Sequence, residues 1–524
     1  MRRSADQRAL PNRPLRLLGG AAVSVAITAL IVTLFLSILA VAGTSSGAAA
    51  DIGYLIYITT LQAGLSTVFS LIVGIALAWA LNRLRFPGRG LVIGLFASAI
   101  VTPGLVLAFG LLSVWGRSGW FGGLGLPIFG LGGVVAAHII LDGAFAARIL
   151  LARLDAIPDA RLKTGQSLAL NARTRFATID WPALRGTLPG LAAIIFLLAF
   201  TSFPIVLLLG GGPAVQTLEV AIYGAVRLDF DLALAVKLAL IQIAICSAII
   251  LATAALAPIS SSLDRPATPR WRDGTAAQGL QWLVLALATI GFASPLLAVL
   301  VDGLAGLSDV LVQPQFWNAV ATSLWVGAAS AILALILAMV VAAARATTAS
   351  RSARTLLGAP SYAYLAVPAV ALSLGAFLFV RSLGIAPDLA APVVVVTANA
   401  LLSLPFAMAT LAPPFDAIAR SRGRLIRSLD LHGARQFFAI EWPLIARDAG
   451  LVLSLGFCFS LGDLGVIALF GTQDFVTLPL LMSRALGAYR TNDAAAIAAL
   501  MLILTIAAFV ALPALFERLS RARS

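Results

Sequence analysis

Charge is what this sequence has least of. Of its 524 residues only 11% are Asp, Glu, Lys or Arg, against about 25% in a soluble domain. So few charges cannot coat a water-soluble surface. Apolar residues make up 60%, and a bilayer span takes about 20 of them in a row, so the chain reads as a polytopic membrane protein. Lysine is scarcer still, with only Lys163 and Lys237. A phosphate-binding loop needs Gly-x-x-x-x-Gly-Lys-Ser/Thr, and the two lysines follow Leu162 and Val236, so the chain is not expected to hydrolyse ATP. The two histidines, His138 and His432, have no second ligand at metal spacing. Cys246 and Cys458 both sit in apolar runs, which indicates no disulfide framework. The net charge of +14 comes from arginines that punctuate apolar runs and do not gather into one patch, so nucleic acid is not an expected partner.

What is abundant is long apolar runs. The first, from Leu17 to Gly43, is too long for a signal peptide, although Ala48-Ala49-Ala50 would suit a peptidase, and reads as an uncleaved span. Further spans are expected near 53–81, 91–114, 131–152, 189–209, 233–258, 280–302, 317–344, 356–380, 391–412, 449–470 and 494–515. Basic residues stay on the cytoplasmic side of short loops, and with an inside N-terminus 30 of the 36 Arg and Lys fall on that side. Both termini are therefore expected in the cytoplasm.

The chain repeats itself. Residues 155–182 and 416–443 match at a constant offset of 261: Asp155/Asp416, Arg161/Arg422, Ser167/Ser428, Leu168/Leu429, Phe176/Phe437, Ile179/Ile440, Trp181/Trp442 and Pro182/Pro443. Asp180 faces Glu441. Upstream, Pro103 and Gly110 meet Pro368 and Gly375 at offset 265, and Leu61 and Gly64 meet Leu324 and Gly327 at 263. Both matched loops fall on the cytoplasmic side, so the copies are parallel, with six spans each. The expected division is a tail and first helix (1–52), a first transmembrane domain (53–258), a solvated linker (259–279), an extra helix and outer loop (280–316) and a second transmembrane domain (317–524).

The matched loops carry apolar residues at rough helical spacing and end at Trp-Pro, where each next span is expected to begin. Read plainly, they are connectors lying on the membrane surface. Read functionally, they are one docking surface presented twice, because two partner subunits bind; plain connectors need not keep Phe, Ile, Trp and Pro in register.

Each loop resembles the EAA loop of ABC importer permeases, with Ile179-Asp180-Trp181-Pro182 and Ile440-Glu441-Trp442-Pro443 at that motif's Ile-x-Leu-Pro ending. Lys163 and Arg424 stand at the motif's Glu, and Ala169 and Asp430 at its Gly. The Glu441-Trp442-Pro443 ending, Ser460 to Gly471, Leu209 to Pro213 followed by Thr217 to Tyr223, and Leu486 to Asp493 are similar to fused thiamine permeases of this family; fused ferric-ion permeases are the nearest alternative. The resemblance implies the all-α type I importer fold, twelve helices in two parallel six-helix repeats in a bacterial inner membrane. It also implies a homodimer of cytoplasmic ATPase subunits, which would hold ATP-Mg and grip the two loops, and a periplasmic substrate-binding protein. No cofactor is implied for this chain. A gradient-driven secondary transporter is the alternative from another class, since parallel six-plus-six repeats suit it too.

Asp463 lies in the apolar stretch Leu451 to Gly471, where a charge is costly and usually faces a cavity or a partner. It is either a contact for a cationic cargo or a structural carboxylate near a gate; its repeat mate is Ser202. His138 and Asp142, four apart on one helix face, form either a proton relay or a local contact. Leu218 to Phe230 and Val476 to Tyr489 read as short amphipathic helices on the outer face, there to meet a binding protein or to plug the mouth.

Overall fold

The computed structural model describes residues 14–41, 51–212, 215–253 and 271–521, and every regular element within them is helical. The first half comprises α1 (Pro14–Val41), α2 (Ile52–Arg83), α3 (Arg89–Ala97), α4 (Gly104–Trp115), α5 (Leu131–Asp155), α6 (Asp159–Ser167), α7 (Ala172–Leu184), α8 (Leu188–Phe200), α9 (Pro204–Leu209), α10 (Leu218–Arg227) and α11 (Leu232–Thr253). The second half runs α12 (Thr275–Leu311), α13 (Pro314–Ala346), α14 (Arg351–Ala363), α15 (Ala369–Ser382), α16 (Pro387–Ser428), α17 (Gly433–Gly462), α18 (Ile467–Phe470), α19 (Leu478–Gly487) and α20 (Thr491–Arg521). Nine of these helices are long and apolar enough to cross a bilayer, and twelve spans result if three bent pairs each count as one.

Those bends have identifiable causes. After a further turn, α3 meets α4 at 116°, and α14 meets α15 at 100°. Each elbow is a proline, Pro103 or Pro368, in extended conformation. Proline has no N–H for the helical ladder and pushes the residue before it out of the helical region, as at Val367 with φ −109° and ψ 106°. The break between α7 and α8, at 65°, has Pro189 in the first turn of α8. Its mate at offset 261 is Gly450, and α17 runs through that point as one helix. The expected span 189–209 is thus α8 and α9, broken at Thr201 to Phe203.

The first helix of each half is seated on the other half. Helix α1 packs on α13, α14 and α15 and touches α11; Ser24 Oγ donates to the Leu357 carbonyl at 2.8 Å. Helix α12 packs on α2 and α4 as well as on α20, with Phe292 against Phe96 at 5.8 Å and Trp282 against Phe86 at 5.2 Å. Repeat mates make both crossings close. A Cβ at Gly110 would lie 2.9 Å from the Pro295 carbonyl carbon of α12, and one at Gly375 3.1 Å from the Leu34 oxygen of α1. Glycine at these positions lets backbones approach as larger residues do not.

Residues 1–13 of the expected tail and 259–270 of the expected linker lie outside the described residues. In the rest of that linker Trp271 and Asp273 are buried, because the first matched loop supplies a partner for each, while Arg272 and Gly274 are exposed and α12 begins at Thr275. The outer loop expected before 317 shrinks to Val312 and Gln313, since Pro314 opens α13.

Candidate functional site

The two matched loops emerge at the same end of the bundle. In the first, Pro158 separates α5 from α6; in the second, the mate is Ala419 and α16 continues unbroken from the span through Asp416 and Arg422 to Ser428. Both then turn identically. Ala169 donates to the Gln166 carbonyl at 3.0 Å and Leu170 to Gly165 at 3.2 Å; Asp430 donates to Arg427 at 3.3 Å and Leu431 to Ile426 at 3.1 Å. This is a C-terminal cap whose turning residue must be left-handed, and Ala169 has φ 49° and Asp430 φ 43°. They are the residues that stand at the family motif's glycine. The geometry is kept and the glycine is not, at a steric cost of about 1 kcal/mol. Ala169→Gly is therefore expected to raise stability by about 0.5–1 kcal/mol, read as a higher unfolding temperature in detergent; a lower one would contradict the strain.

The turn leaves Leu168 66% and Leu429 58% exposed at the loop tips. Arg161, Ser167, Arg422 and Ser428 are exposed around them, and Arg161 Nη2 donates to the Thr178 carbonyl at 3.0 Å. Phe176 and Phe437 are half-buried, their rings tilted against Trp181 at 6.4 Å and Trp442 at 5.8 Å. Ile179 is buried and Ile440 partly so. The Trp-Pro pairs do not end the loops as expected. A π-turn, Phe176–Asp180 or Phe437–Glu441, precedes each, with the Trp181 amide bonded to the Phe176 carbonyl and Trp442 to Phe437. The widened turn gives the proline ring room, so the helix continues through Pro182 and Pro443.

Behind these surfaces lie charged side chains, several of them fully buried, of which the sequence reading had singled out only Asp155 and Asp416. Asp180, fully buried, accepts from Arg83 Nη2 at 2.6 Å and lies 3.5 Å from Arg175 Nε. Arg175 is itself fully buried, forms a two-pronged pair with Asp273, and lies 4.8 Å under the Trp271 ring. Trp271 has room because Gly165 faces it; a Cβ there would stand 2.9 Å from the ring. Asn82 Nδ2 donates to Asp155 at 2.7 Å. In the second loop, fully buried Glu441 accepts from Arg16 at 2.7 and 2.9 Å and from Gln436 at 2.7 Å, and Arg354 pairs with Asp416. The one signal in the sequence was the Asp180/Glu441 match itself, an acid kept between Ile and Trp in both copies.

Between the halves lies a cavity of about 660 Å³. It runs from the second elbow, at Val367 and Pro368, to Arg148, Arg345 and Asp416 at the loop end, with aromatic walls from Phe96, Phe145, Tyr362, Tyr364 and Phe406. The Tyr364 hydroxyl and Arg345 Nε and Nη1 are buried with no hydrogen-bond partner among the described residues. Toward the far end the halves close on each other. Gly462 abuts Pro103, and Arg227 of α10 donates to the Ala468 and Gly471 carbonyls at 3.0 Å each.

Asp463 and Ser202 sit at this closure, at the breaks after α17 and α8, and neither lines the cavity; Thr201 does. The Asp463 carboxylate accepts from the amides of Gly465 at 3.0 Å and Val466 at 3.2 Å, capping the turn into α18. These hydrogen bonds are of the kind the structural alternative expects. His138 Nδ1 lies 3.1 Å from Asp142 within buried α5, outside the cavity lining, which is the local contact. Among the described residues no group of three His, Cys, Asp or Glu side chains could hold a metal.

No family model matches the chain. Individual proteins do. The thiamine transport system permease protein ThiP of Brucella melitensis is 38% identical over 463 residues, covering 86% of this chain and 85% of that protein. ThiP of Escherichia coli is 36% identical over 467 residues, 86% of each. The molybdenum transport system permease protein ModB of Azotobacter vinelandii is 31% identical over 173 residues, which are 32% of this chain but 76% of ModB, so that relative is close to one half of the chain in length. With two halves of helices, matched loops at one end and full-length likeness at this identity, the chain belongs to the thiamine transport system permease family.

Proposed function

We propose that the chain forms the path for thiamine or its phosphates across a bacterial inner membrane as the permease subunit of an ATP-driven importer. The observation that carries this reading is the pair of matched loops at one end of the bundle, each with an exposed leucine at its tip, flanking a cavity between the halves that reaches the same end. Two ATPase subunits, holding ATP-Mg, dock one on each loop. Closure of that dimer moves the loops and switches the path from inward-open to outward-open. The loop end and both termini face the cytoplasm, as the arginine distribution requires. Tyr362, Tyr364 and Phe406 offer aromatic faces suited to the cationic ring of thiamine.

At the other end the exposed aromatics Phe230 and Tyr489, 82% and 91% accessible, follow α10 and α19 in matching places, both left-handed with φ 55° and 59°. They are the proposed contacts for the two lobes of a periplasmic binding protein. Phe230→Ala with Tyr489→Ala is expected to cut uptake about tenfold at limiting binding protein, leaving ATPase assembly intact.

The deciding experiment is thiamine uptake into vesicles containing the permease, its ATPase and its binding protein. Uptake is expected to require ATP and the binding protein and to survive a protonophore. Uptake driven by a proton or sodium gradient without ATP would establish the secondary-transporter reading instead.

A further inference from the structure

The buried charges behind the loops do not balance within either half. Behind the first loop, Arg83 and Arg175 face Asp180, two cations to one anion, all from the first half. The missing anion is Asp273, two residues before α12 of the second half. Behind the second loop, Gln436 stands where Arg175 does, at offset 261, and Ala346 where Arg83 does, at offset 263. The second half therefore leaves Glu441 without a cation of its own, and Arg16, in the first turn of α1, provides it across 425 residues of sequence. Each buried cluster is made neutral by a residue at the start of the opposite half, in or just before its first helix, and the two contributions have opposite sign.

We propose that Arg16 and Asp273 are positioning residues of the coupling machinery, fastening α1 and α12 to the loops that the ATPase moves. The proposal rests on the loops being the ATPase docking sites. A fastened loop cannot shift without pulling a helix that is itself packed on both halves, so each ATPase subunit acts on both walls of the path. The reversed signs also make the seats non-interchangeable. Arg16 at the first loop would add a third cation to Arg83 and Arg175, and Asp273 at the second would set two carboxylates together; buried like charges are strongly disfavoured.

The test uses the full chain co-expressed with its ATPase and binding protein, purified and reconstituted, with three readouts: ATPase retained, ATP turnover, and thiamine imported per ATP. Arg16→Gln is expected to lower thiamine per ATP by about tenfold or more, and so is Asp273→Asn. The paired neutralisations Arg16→Gln/Glu441→Gln and Asp273→Asn/Arg175→Gln are expected to return it to within about threefold of the unaltered complex; the second installs on the first loop the glutamine that the second loop carries. Single variants that import normally overturn the proposal, as do paired variants no better than the singles. Should a single variant fail to accumulate in the membrane, recovery in its paired variant supports the proposal and continued failure overturns it. Failure of the docking reading shows separately, as an unaltered permease that purifies without any ATPase, and that overturns both.

Discussion

Replacing Leu168 and Leu429 together by aspartate is expected to strip the ATPase from the permease. Each leucine sits at the tip of a helical hairpin, exposed and aimed outward by the left-handed residue behind it. Burying a leucine in a partner's groove contributes about 1.5–3 kcal/mol. Losing two such contacts and pressing carboxylates into apolar grooves weakens the complex by at least about 3 kcal/mol, a factor of more than about 100. The permease itself should be untouched, because exposed tips carry little of its stability. Co-purification of the ATPase from solubilised membranes reads the result, with thiamine uptake as the second measure. Retention at the normal ratio with coupled hydrolysis would remove the leucines from the interface and move attention to Trp181, Phe438 and the flanking arginines. Phe176 and Phe437 are weaker choices for this test, since they are half-buried in their own loops and their loss would disturb the fold as well as the docking.

The second large effect is expected at Arg83. Arg83→Ala leaves Asp180 fully buried with only Arg175, which is already committed to Asp273. Breaking a buried pair from one side costs about 3–5 kcal/mol, because the remaining charge is uncompensated. The expected outcome is a permease that accumulates poorly and loses about ten degrees of thermal resistance in detergent. Arg83→Met with Asp180→Leu is expected to restore most of it, since an apolar pair of similar volume is often no worse than the ion pair it replaces. Similar unfolding temperatures for Arg83→Ala and the unaltered protein would show that water reaches Asp180. The equivalent change in the second half has no counterpart, because Ala346 already stands there.

Much of the architecture was legible in the sequence because it rests on composition and repetition. Apolar runs gave the spans, and the match at offset 261 gave the parallel halves. Bends were not, since an apolar run reads the same whether straight or folded at Pro103 and Pro368; proline marks a break without fixing an angle of 116° or 100°. The loops were legible as loops, and even their departure from the family motif was: Ala169 and Asp430 take up the backbone conformation that the missing glycine would have supplied. The charge network was not legible. Arg16 counted as one more cytoplasmic arginine, and Asp273 as part of a polar linker, because local pattern carries no information about a partner hundreds of residues away. Asp463 was visible as an acid in an apolar stretch, but its three-dimensional neighbours, here the amides of the turn it caps, were not.

The seating of α1 on the second half also bears on how the chain is made. Synthesis delivers α1 ahead of the other described helices, yet apart from its touch on α11 the helices it packs against begin only at Pro314. For the time needed to make some three hundred residues it must sit in lipid without most of its permanent neighbours. Its composition suits that wait: no charged residue falls between Leu17 and Gly43, and its mean hydropathy of 2.6 over the central window is matched or exceeded by few spans. Arg16, just before that run, is then a charge held at the membrane surface until Glu441 emerges to receive it. Closure of the second loop thus reports that α1 and the chain up to Glu441 have both been inserted.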